Sequence, residues 1–143
     1  MNRALKVFTQ GTVLFAVAAL TSSCGGGSDE PPTTRLYATF AVESETFHAL
    51  ITNPRGIEQA KALWAGTSKA NIPVGGLVCT AQPWNQPWHW HFDPEGINFS
   101  EMTIALCDGR PSYIEANCPG QGFCPWGARL TALRDCSADP SCP

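Results

Sequence analysis

Apolar and polar residues alternate along positions 36–42, and the alternation returns at positions 46–52 after a short polar run. Successive side chains of a strand point to opposite faces, so we expect two antiparallel strands joined as a hairpin. Asn53 and Pro54 then supply a helix cap and a favourable first helical residue. Apolar residues spaced three or four apart follow, which predicts a helix that stops at Gly66 and buries Ile57, Ala60, Leu63 and Trp64.

The rest of the pattern is one of short apolar runs separated by proline and glycine turns. Strands are predicted over residues 75–80, 88–92, 97–107 (most regular over 102–106) and 129–133. Loops are predicted over residues 83–87, 93–96 and 118–126, and a helical turn over residues 112–116. The predicted class is α+β: one domain over residues 36–143, with one main helix packed on an antiparallel sheet.

The first 23 residues have the pattern of a signal peptide. Arg3 and Lys6 precede an apolar run that is too short to span a bilayer comfortably. Small residues then lead to Cys24, which resembles a bacterial lipobox, although Thr21 stands where leucine is usual. The resemblance implies acylation of Cys24 as the mature N-terminus, whereas the alternative is a plain secretory signal that leaves Cys24 as a thiol.

Residues 24–35 are predicted to form a lipidated, flexible tether rich in glycine and ending near two prolines. The glycine after Cys24 favours the outer membrane of a Gram-negative cell envelope, because an aspartate in that place favours inner-membrane retention in such lipoproteins. From Cys24 onward seven basic residues face twelve acidic ones, a net charge of −5 without a basic cluster. A nucleic-acid partner is therefore not expected.

The cysteine count supports export independently. Seven cysteines are present, and acylation of Cys24 leaves an even number inside the domain. Small exported domains commonly stabilise a limited core with disulfides. We therefore expect three bridges in an unspecified pairing, at least one of them in the tail, among Cys79, Cys107, Cys118, Cys124, Cys136 and Cys142.

The segment around Trp88 and His89 contains the largest number of side chains that could bind a ligand or a metal ion. If it is extended, Trp88, Trp90 and Phe92 share one face, and His89, His91 and Asp93 share the other. The structural interpretation puts the aromatic rings in the core and the histidines at the surface. The alternative is a metal site formed by His89, His91 and Asp93, because paired imidazoles bind zinc, copper or iron. No cofactor is otherwise expected.

Tryptophans in or near predicted loops suggest a second kind of site, at which a ligand stacks on aromatic rings. Trp84, Asn85 and Trp88 lie in or beside a proline-rich loop, and Trp126 follows a Cys-Pro pair. Aromatic faces left in solvent stack on sugar rings or on partner side chains. These four residues are the predicted contacts for an extracellular protein or glycan ligand, and core packing is the alternative role for each tryptophan.

The order of several motifs resembles a known family. The motifs are Asn-Gln-Pro-Trp at 85–88, Asp-Pro at 93–94, Cys-Asp at 107–108 and Cys-Pro-Trp at 124–126. They are similar to those of a small exported bacterial family named after the BP-seventy-four amino-terminal domain. The resemblance implies no known activity. It implies that His91 is shared while His89 is particular to this chain, and that His91, Asp93 and Asp108 form a hydrogen-bond network.

The predicted function is a membrane-anchored lipoprotein carrying a non-catalytic binding domain. No Gly-x-Ser-x-Gly elbow is present, and a small domain gives paired carboxylates little room for a deep cleft, so enzyme activity is not expected. One alternative is a protease inhibitor, with braced loops at 79–88 or 118–124 entering an active-site groove. The other is the metal-binding domain that uses His89 and His91.

Overall fold

The computed structural model describes residues 34–118, 122–139 and 142, so the predicted signal peptide, Cys24 and most of the tether lie outside the described residues. The described part is mostly β. Its strands are β1 Leu36–Val42, β2 Glu45–Ile51, β3 Ile72–Val78, β4 His91–Phe92, β5 Asn98–Ser100, β6 Gly122–Phe123 and β7 Ala128–Asp135. Its helices are α1 Pro54–Trp64 and α2 Pro111–Asn117, with short 3-10 turns at Pro83–Asn85 and Ala105–Cys107.

Two antiparallel sheets are built from these strands. The first has the order β2-β1-β7, and its hairpin pairs Leu36 with Ile51 and Val42 with Glu45. The second is centred on β3, which pairs with β4, β5 and β6 along different parts of its length. β2 therefore lies at one edge of the first sheet, where its outward backbone groups need other partners.

The core lies between the sheets and is rich in aromatic rings. Alternate residues of β1 and β2 point inward, which confirms the predicted two-residue pattern. The ring of Phe47 packs on those of Phe40, Trp90, Phe92 and Phe123 with centroids 5.1 to 5.8 Å apart. Trp90 and Phe92 are fully buried, as the structural interpretation of their segment requires, but that interpretation is wrong for His91, which is buried and not at the surface. Burial of such large rings supplies much of the stability of a small domain.

Helix α1 begins as predicted. The Asn53 side chain accepts a hydrogen bond from the Gly56 amide at 2.6 Å and donates one to the Ile97 carbonyl at 2.6 Å. A Cβ on Gly56 would lie 2.5 Å from that same carbonyl oxygen, so glycine is required where the helix meets the chain. The prediction that Trp64 is buried is wrong, since this residue is 53% exposed, and Leu63 is only half-buried where it packs against the core.

The predicted strand over residues 97–107 is also wrong beyond Ser100. β5 pairs with the first three residues of β3, and the Ser100 hydroxyl then accepts from the Met102 amide and donates to the Met102 carbonyl. In the part of the chain that the structure describes, no partner strand continues alongside, so the regular alternation of residues 102–106 lies in solvent rather than in a sheet. Of residues 88–92 only His91 and Phe92 form a strand, whereas the predicted helical turn and the last strand are confirmed as α2 and β7.

Three disulfides staple the domain, as the cysteine parity predicted. They join Cys79 to Cys118, Cys107 to Cys124, and Cys136 to Cys142 in the tail. Antiparallel pairing and disulfide stapling are thus confirmed, and two helices are present. Among the described residues, no helix combines the length and apolarity needed to cross a membrane.

Candidate functional site

The Asn85 and Trp88 side chains make hydrogen bonds to the edge of β2. Asn85 is fully buried, accepts from the His48 amide at 2.7 Å and donates to the Trp90 carbonyl at 2.7 Å. The indole nitrogen of Trp88 donates to the Thr46 carbonyl at 2.8 Å. Both side chains thereby replace hydrogen bonds that a further strand would make to β2.

Trp84 is held in the same way by its neighbours. The Tyr37 hydroxyl donates to the Trp84 carbonyl at 3.0 Å, and the Trp84 ring meets the His91 ring edge-on with centroids 5.3 Å apart. Trp88 stacks on buried Trp90 at 6.3 Å. Three of the four predicted ligand contacts therefore form one structural unit that covers the sheet edge. Trp126, the fourth, lies elsewhere and is 45% exposed.

The residues of the predicted metal site have separate partners. His89 Nδ1 lies 2.6 Å from Glu115 Oε1, buried His91 shares a hydrogen bond of 2.9 Å between Nδ1 and the Thr80 carbonyl, and Asp93 accepts from the Glu95 amide. Within residues 34–118, 122–139 and 142, no group of three or more His, Cys, Asp or Glu side chains is placed to hold a metal ion.

The predicted network of His91, Asp93 and Asp108 is wrong, because Asp108 has different partners. Its Oδ1 accepts from the amides of Gly109 and Trp126 at 2.9 and 2.8 Å. Next to it the Cys124 amide donates to the Cys107 carbonyl at 2.7 Å, beside the Cys107–Cys124 bridge. The Cys-Asp and Cys-Pro-Trp motifs thus meet as one clamp that fixes two loops to each other.

A cleft opens beside this clamp, and we name it the Tyr113 cleft. Its volume is about 370 Å³, and it is lined by Val42, Glu43, Asp108, Gly109, Arg110, Tyr113 and Gly127. The Tyr113 side chain is 58% exposed. Arg110 Nη1 lies 3.5 Å from Glu43 Oε2, so a guanidinium and two carboxylates share the rim of the cleft with one aromatic ring.

Helix α2, which carries Tyr113, is held in place by two carboxylates. Glu45 accepts from the Ser112 amide at 2.7 Å and from its hydroxyl at 2.6 Å. Partial burial alone would raise the pKa of Glu45, but these hydrogen bonds and the charge of Arg110 lower it below the ordinary value. At the other end, the hydrogen bond from the His89 amide, assisted by its ring, lowers the pKa of Glu115. The Tyr113 ring is therefore carried on an anchored element.

A second exposed surface lies next to the clamp. Met102, Ile104 and Leu106 are 83%, 67% and 86% exposed, and we name residues 101–107 the apolar loop. The indole nitrogen of Trp126 donates to the hydroxyl of Thr103 between the first two of these side chains. With Tyr113 and Trp126, the loop supplies five of the seven large apolar side chains that are exposed in the described residues.

Sequence reasoning did not identify the Tyr113 cleft or the apolar loop. Glu43, Arg110 and Tyr113 come from a hairpin turn and a short helix far apart in the chain. The Cys-Asp motif was the available signal, because an aspartate fixed next to a bridged cysteine indicates an ordered loop. The apolar alternation of residues 102–106 is visible in the sequence, but whether a partner strand lies beside it depends on the tertiary fold.

Comparison with known proteins places the chain in a family without adding a function. No curated protein and no solved structure matches it. The family model described as the BP-seventy-four N-terminal domain matches residues 34–137, which covers nearly all of the described domain. This match confirms the resemblance that the four short motifs indicated. The chain is a member of the BP-seventy-four N-terminal domain family.

Proposed function

We propose that this chain is an extracytoplasmic lipoprotein, anchored in the cell envelope through acylated Cys24, whose domain is a non-catalytic binding module. Three disulfides support export, because such bonds persist in oxidising compartments. They use all six cysteines other than Cys24, which supports a separate fate for that residue. The outer membrane remains the expected site, since glycine follows Cys24. The α+β class, with α1 as the main helix against β5 and β7, belongs to the same proposal.

The observation that carries the binding assignment is the Tyr113 cleft. It joins an exposed aromatic ring to Asp108, Arg110 and Glu43, and its volume of about 370 Å³ is within the range of small-ligand sites. Asp108 uses Oδ1 for the clamp and has a second oxygen, Oδ2, on the same fixed carboxylate. A rigid acceptor next to a cation and a ring is a preorganised site, which reduces the ordering cost of binding.

A carbohydrate is the ligand that this chemistry fits best. A sugar ring presents an apolar face to an aromatic ring and hydroxyls to planar carboxylate and guanidinium groups. One guanidinium against two carboxylates leaves a net charge of about −1 at the cleft, so a neutral or weakly charged glycan is favoured over a polyanion. Envelope glycans are also the polymers that a tethered lipoprotein meets. A protein segment as the ligand is the competing outcome of the test below.

The non-catalytic assignment rests on what lines the cleft. None of its lining residues is a histidine, serine or cysteine, so a nucleophile with an adjacent base is missing from that set. Asp108 is held by two backbone amides, and Glu43 is paired with Arg110. These are the contacts of fixed recognition groups. The described histidines are engaged elsewhere.

The test measures glycan binding by the mature chain and by matched variants. Soluble peptidoglycan fragments are titrated calorimetrically into wild type, Tyr113→Ala, Tyr113→Phe and Arg110→Gln. Loss of the ring is expected to weaken binding about tenfold or more, whereas Tyr113→Phe keeps the stacking face and most of the affinity. Trp64→Ala, which removes an exposed ring outside the cleft, serves as the control. Equal binding by Tyr113→Ala and wild type, or no glycan binding at all, would refute the assignment.

The protease-inhibitor and metal-binding alternatives stay predictions with their own tests. The Cys79–Cys118 bridge braces one end of both loops named for inhibition, which is the observation in favour of an inhibitor. Inhibition of any enzyme in a protease panel by micromolar protein would support it. Metal analysis of untagged protein, followed by a chelator and a stability measurement, tests His89 and His91.

A further inference from the structure

We propose that the apolar loop inserts into the surface of the lipid bilayer, as a second membrane contact besides the acyl group on Cys24. The proposal concerns a different surface from the Tyr113 cleft. It goes beyond the proposed glycan binding, and only its tether argument uses the proposed acylation. The occupant is the interfacial region of a phospholipid bilayer.

The side chains of the loop have the chemistry of a shallow membrane insertion. Met102, Ile104 and Leu106 alternate along the loop and are 83%, 67% and 86% exposed. Aliphatic side chains of this kind gain free energy when they leave water for the acyl boundary, and they offer no flat face for a sugar. Trp126, 45% exposed beside them, has the ring type that is enriched at membrane interfaces.

Several backbone carbonyls of the loop already accept hydrogen bonds from within the protein, so they depend less on water. The carbonyl of Met102 accepts from the Ser100 hydroxyl at 2.7 Å, that of Ile104 from the Cys107 amide at 3.4 Å, and that of Ala105 from the Asp108 amide at 3.2 Å. The Thr103 hydroxyl is bonded by the Trp126 indole. Carbonyl groups without partners are costly in hydrocarbon, so the local pairing of these three acceptors lowers the cost of insertion.

The same geometry disfavours a substrate-like fit of this loop in a protease groove. A bound substrate must present the carbonyl of its scissile residue to the oxyanion hole. The Ile104 carbonyl instead faces the Cys107–Cys124 bridge, 3.3 Å from Cys107 Sγ and 3.6 Å from Cys124 Sγ. The loop therefore exposes its apolar side chains, whereas its Ile104 carbonyl is turned toward the disulfide. That division suits a bilayer better than an enzyme cleft.

The length of the chain before the domain makes this contact reachable. Nine residues lie between Cys24 and Thr34, the first described residue, so the ten steps from Cys24 to Thr34 span about 36 Å at most when fully extended. An acylated Cys24 would therefore confine every face of the domain to the neighbourhood of the bilayer. A second contact near an anchored Cys24 adds to membrane affinity, because the anchor raises the effective concentration of the loop at the bilayer.

Charge predicts the kind of lipid. Glu101 is the first residue of the loop and Asp108 follows its last, and the chain from Cys24 onward carries a net charge of −5. Attraction to anionic headgroups is therefore excluded as the driving force. Partition should depend on the apolar side chains, should be insensitive to salt, and should be stronger on zwitterionic than on anionic vesicles.

The test uses the mature chain from Gly25, exported by an ordinary signal peptide so that it forms its disulfides without a lipid. Binding to phosphatidylcholine vesicles is measured by sedimentation for wild type and for the triple variant Met102→Ser/Ile104→Ser/Leu106→Ser. Each replacement is expected to reduce partition about tenfold. Trp64→Ser, an exposed apolar side chain on α1, is the matched control and should partition like wild type.

A second measurement does not depend on the fold of the triple variant. Brominated phosphatidylcholine should quench tryptophan fluorescence in wild type and in Trp64→Phe, and Trp126→Phe should lose most of that quenching. Absence of vesicle binding by wild type, an equal loss in Trp64→Ser, or a requirement for anionic lipid would each overturn the proposal. A change in oligomeric mass of the triple variant without a change in partition would assign the loop to a second copy instead. Each of these outcomes is independent of glycan binding in the cleft and of acylation.

Discussion

Replacement of Asn85 by alanine distinguishes a structural asparagine from a ligand contact. The side chain is fully buried and makes two hydrogen bonds of 2.7 Å to backbone groups of His48 and Trp90. Alanine leaves an amide and a carbonyl without partners, at about 1–3 kcal/mol each. We expect a loss of about 4 kcal/mol in the free energy of unfolding. That is a large part of the total stability of a small domain, about 5–15 kcal/mol.

The assay is guanidinium unfolding of the disulfide-intact protein, followed by tryptophan fluorescence. Gln86→Ala, at the exposed neighbouring position, is the control and should change stability by less than about 0.5 kcal/mol. Asn85→Asp keeps the acceptor for the His48 amide but loses the donor to Trp90, so its loss should also be large. A loss below about 1 kcal/mol for Asn85→Ala would refute the edge-closure role and restore Asn85 as a candidate ligand contact.

Three further changes test other parts of the structure. The pKa of Glu115 is lowered from 4.5 in the folded state, so its contribution to stability is present above that value and is lost as the pH falls through the folded pKa. In unfolding measurements across acid pH, Glu115→Gln should therefore lower stability at neutral pH by less than about 1 kcal/mol and weaken the acid dependence; an unchanged profile would contradict the His89 contact. Removal of the Cys79–Cys118 bridge, which spans 39 residues, should cost about 4 kcal/mol, against about 2 kcal/mol for the 6-residue Cys136–Cys142 bridge; the reverse order in guanidinium unfolding would show that loop entropy does not dominate. Gly56→Ala should destabilise the domain strongly, because its Cβ would meet the Ile97 carbonyl, whereas Gly76→Ala has open space and should be mild.

Patterns within single segments of the sequence were sufficient to predict the strands and the helix in the first half of the domain. The β1–β2 hairpin follows from strict alternation, and α1 follows from the Asn53 cap, Pro54 and the apolar spacing. Disulfide stapling followed from an even cysteine count, but the pairing did not, because it depends on which loops meet in space. Family membership followed from short motifs that are now seen to hold the loops and the sheet edge.

Interactions between distant segments explain the wrong predictions. Residues 102–106 alternate like a strand, yet β3 offers pairing only up to Ser100, and the segment becomes an exposed loop. The contacts of Asn85 and Trp88 with β2 could not be predicted, because the sequence does not reveal that β2 is an edge strand. The Tyr113 cleft combines a hairpin turn with α2, and no local pattern links Glu43 to Arg110.

Intact mass spectrometry of the native, membrane-extracted protein tests the central claim of a lipid-anchored, oxidised binding domain most directly. The account predicts a chain that begins at Cys24, carries acyl groups there, and lacks six hydrogens because three bridges join the remaining cysteines. A chain that still begins at Met1, an unmodified Cys24, or free thiols among the other six cysteines would contradict it.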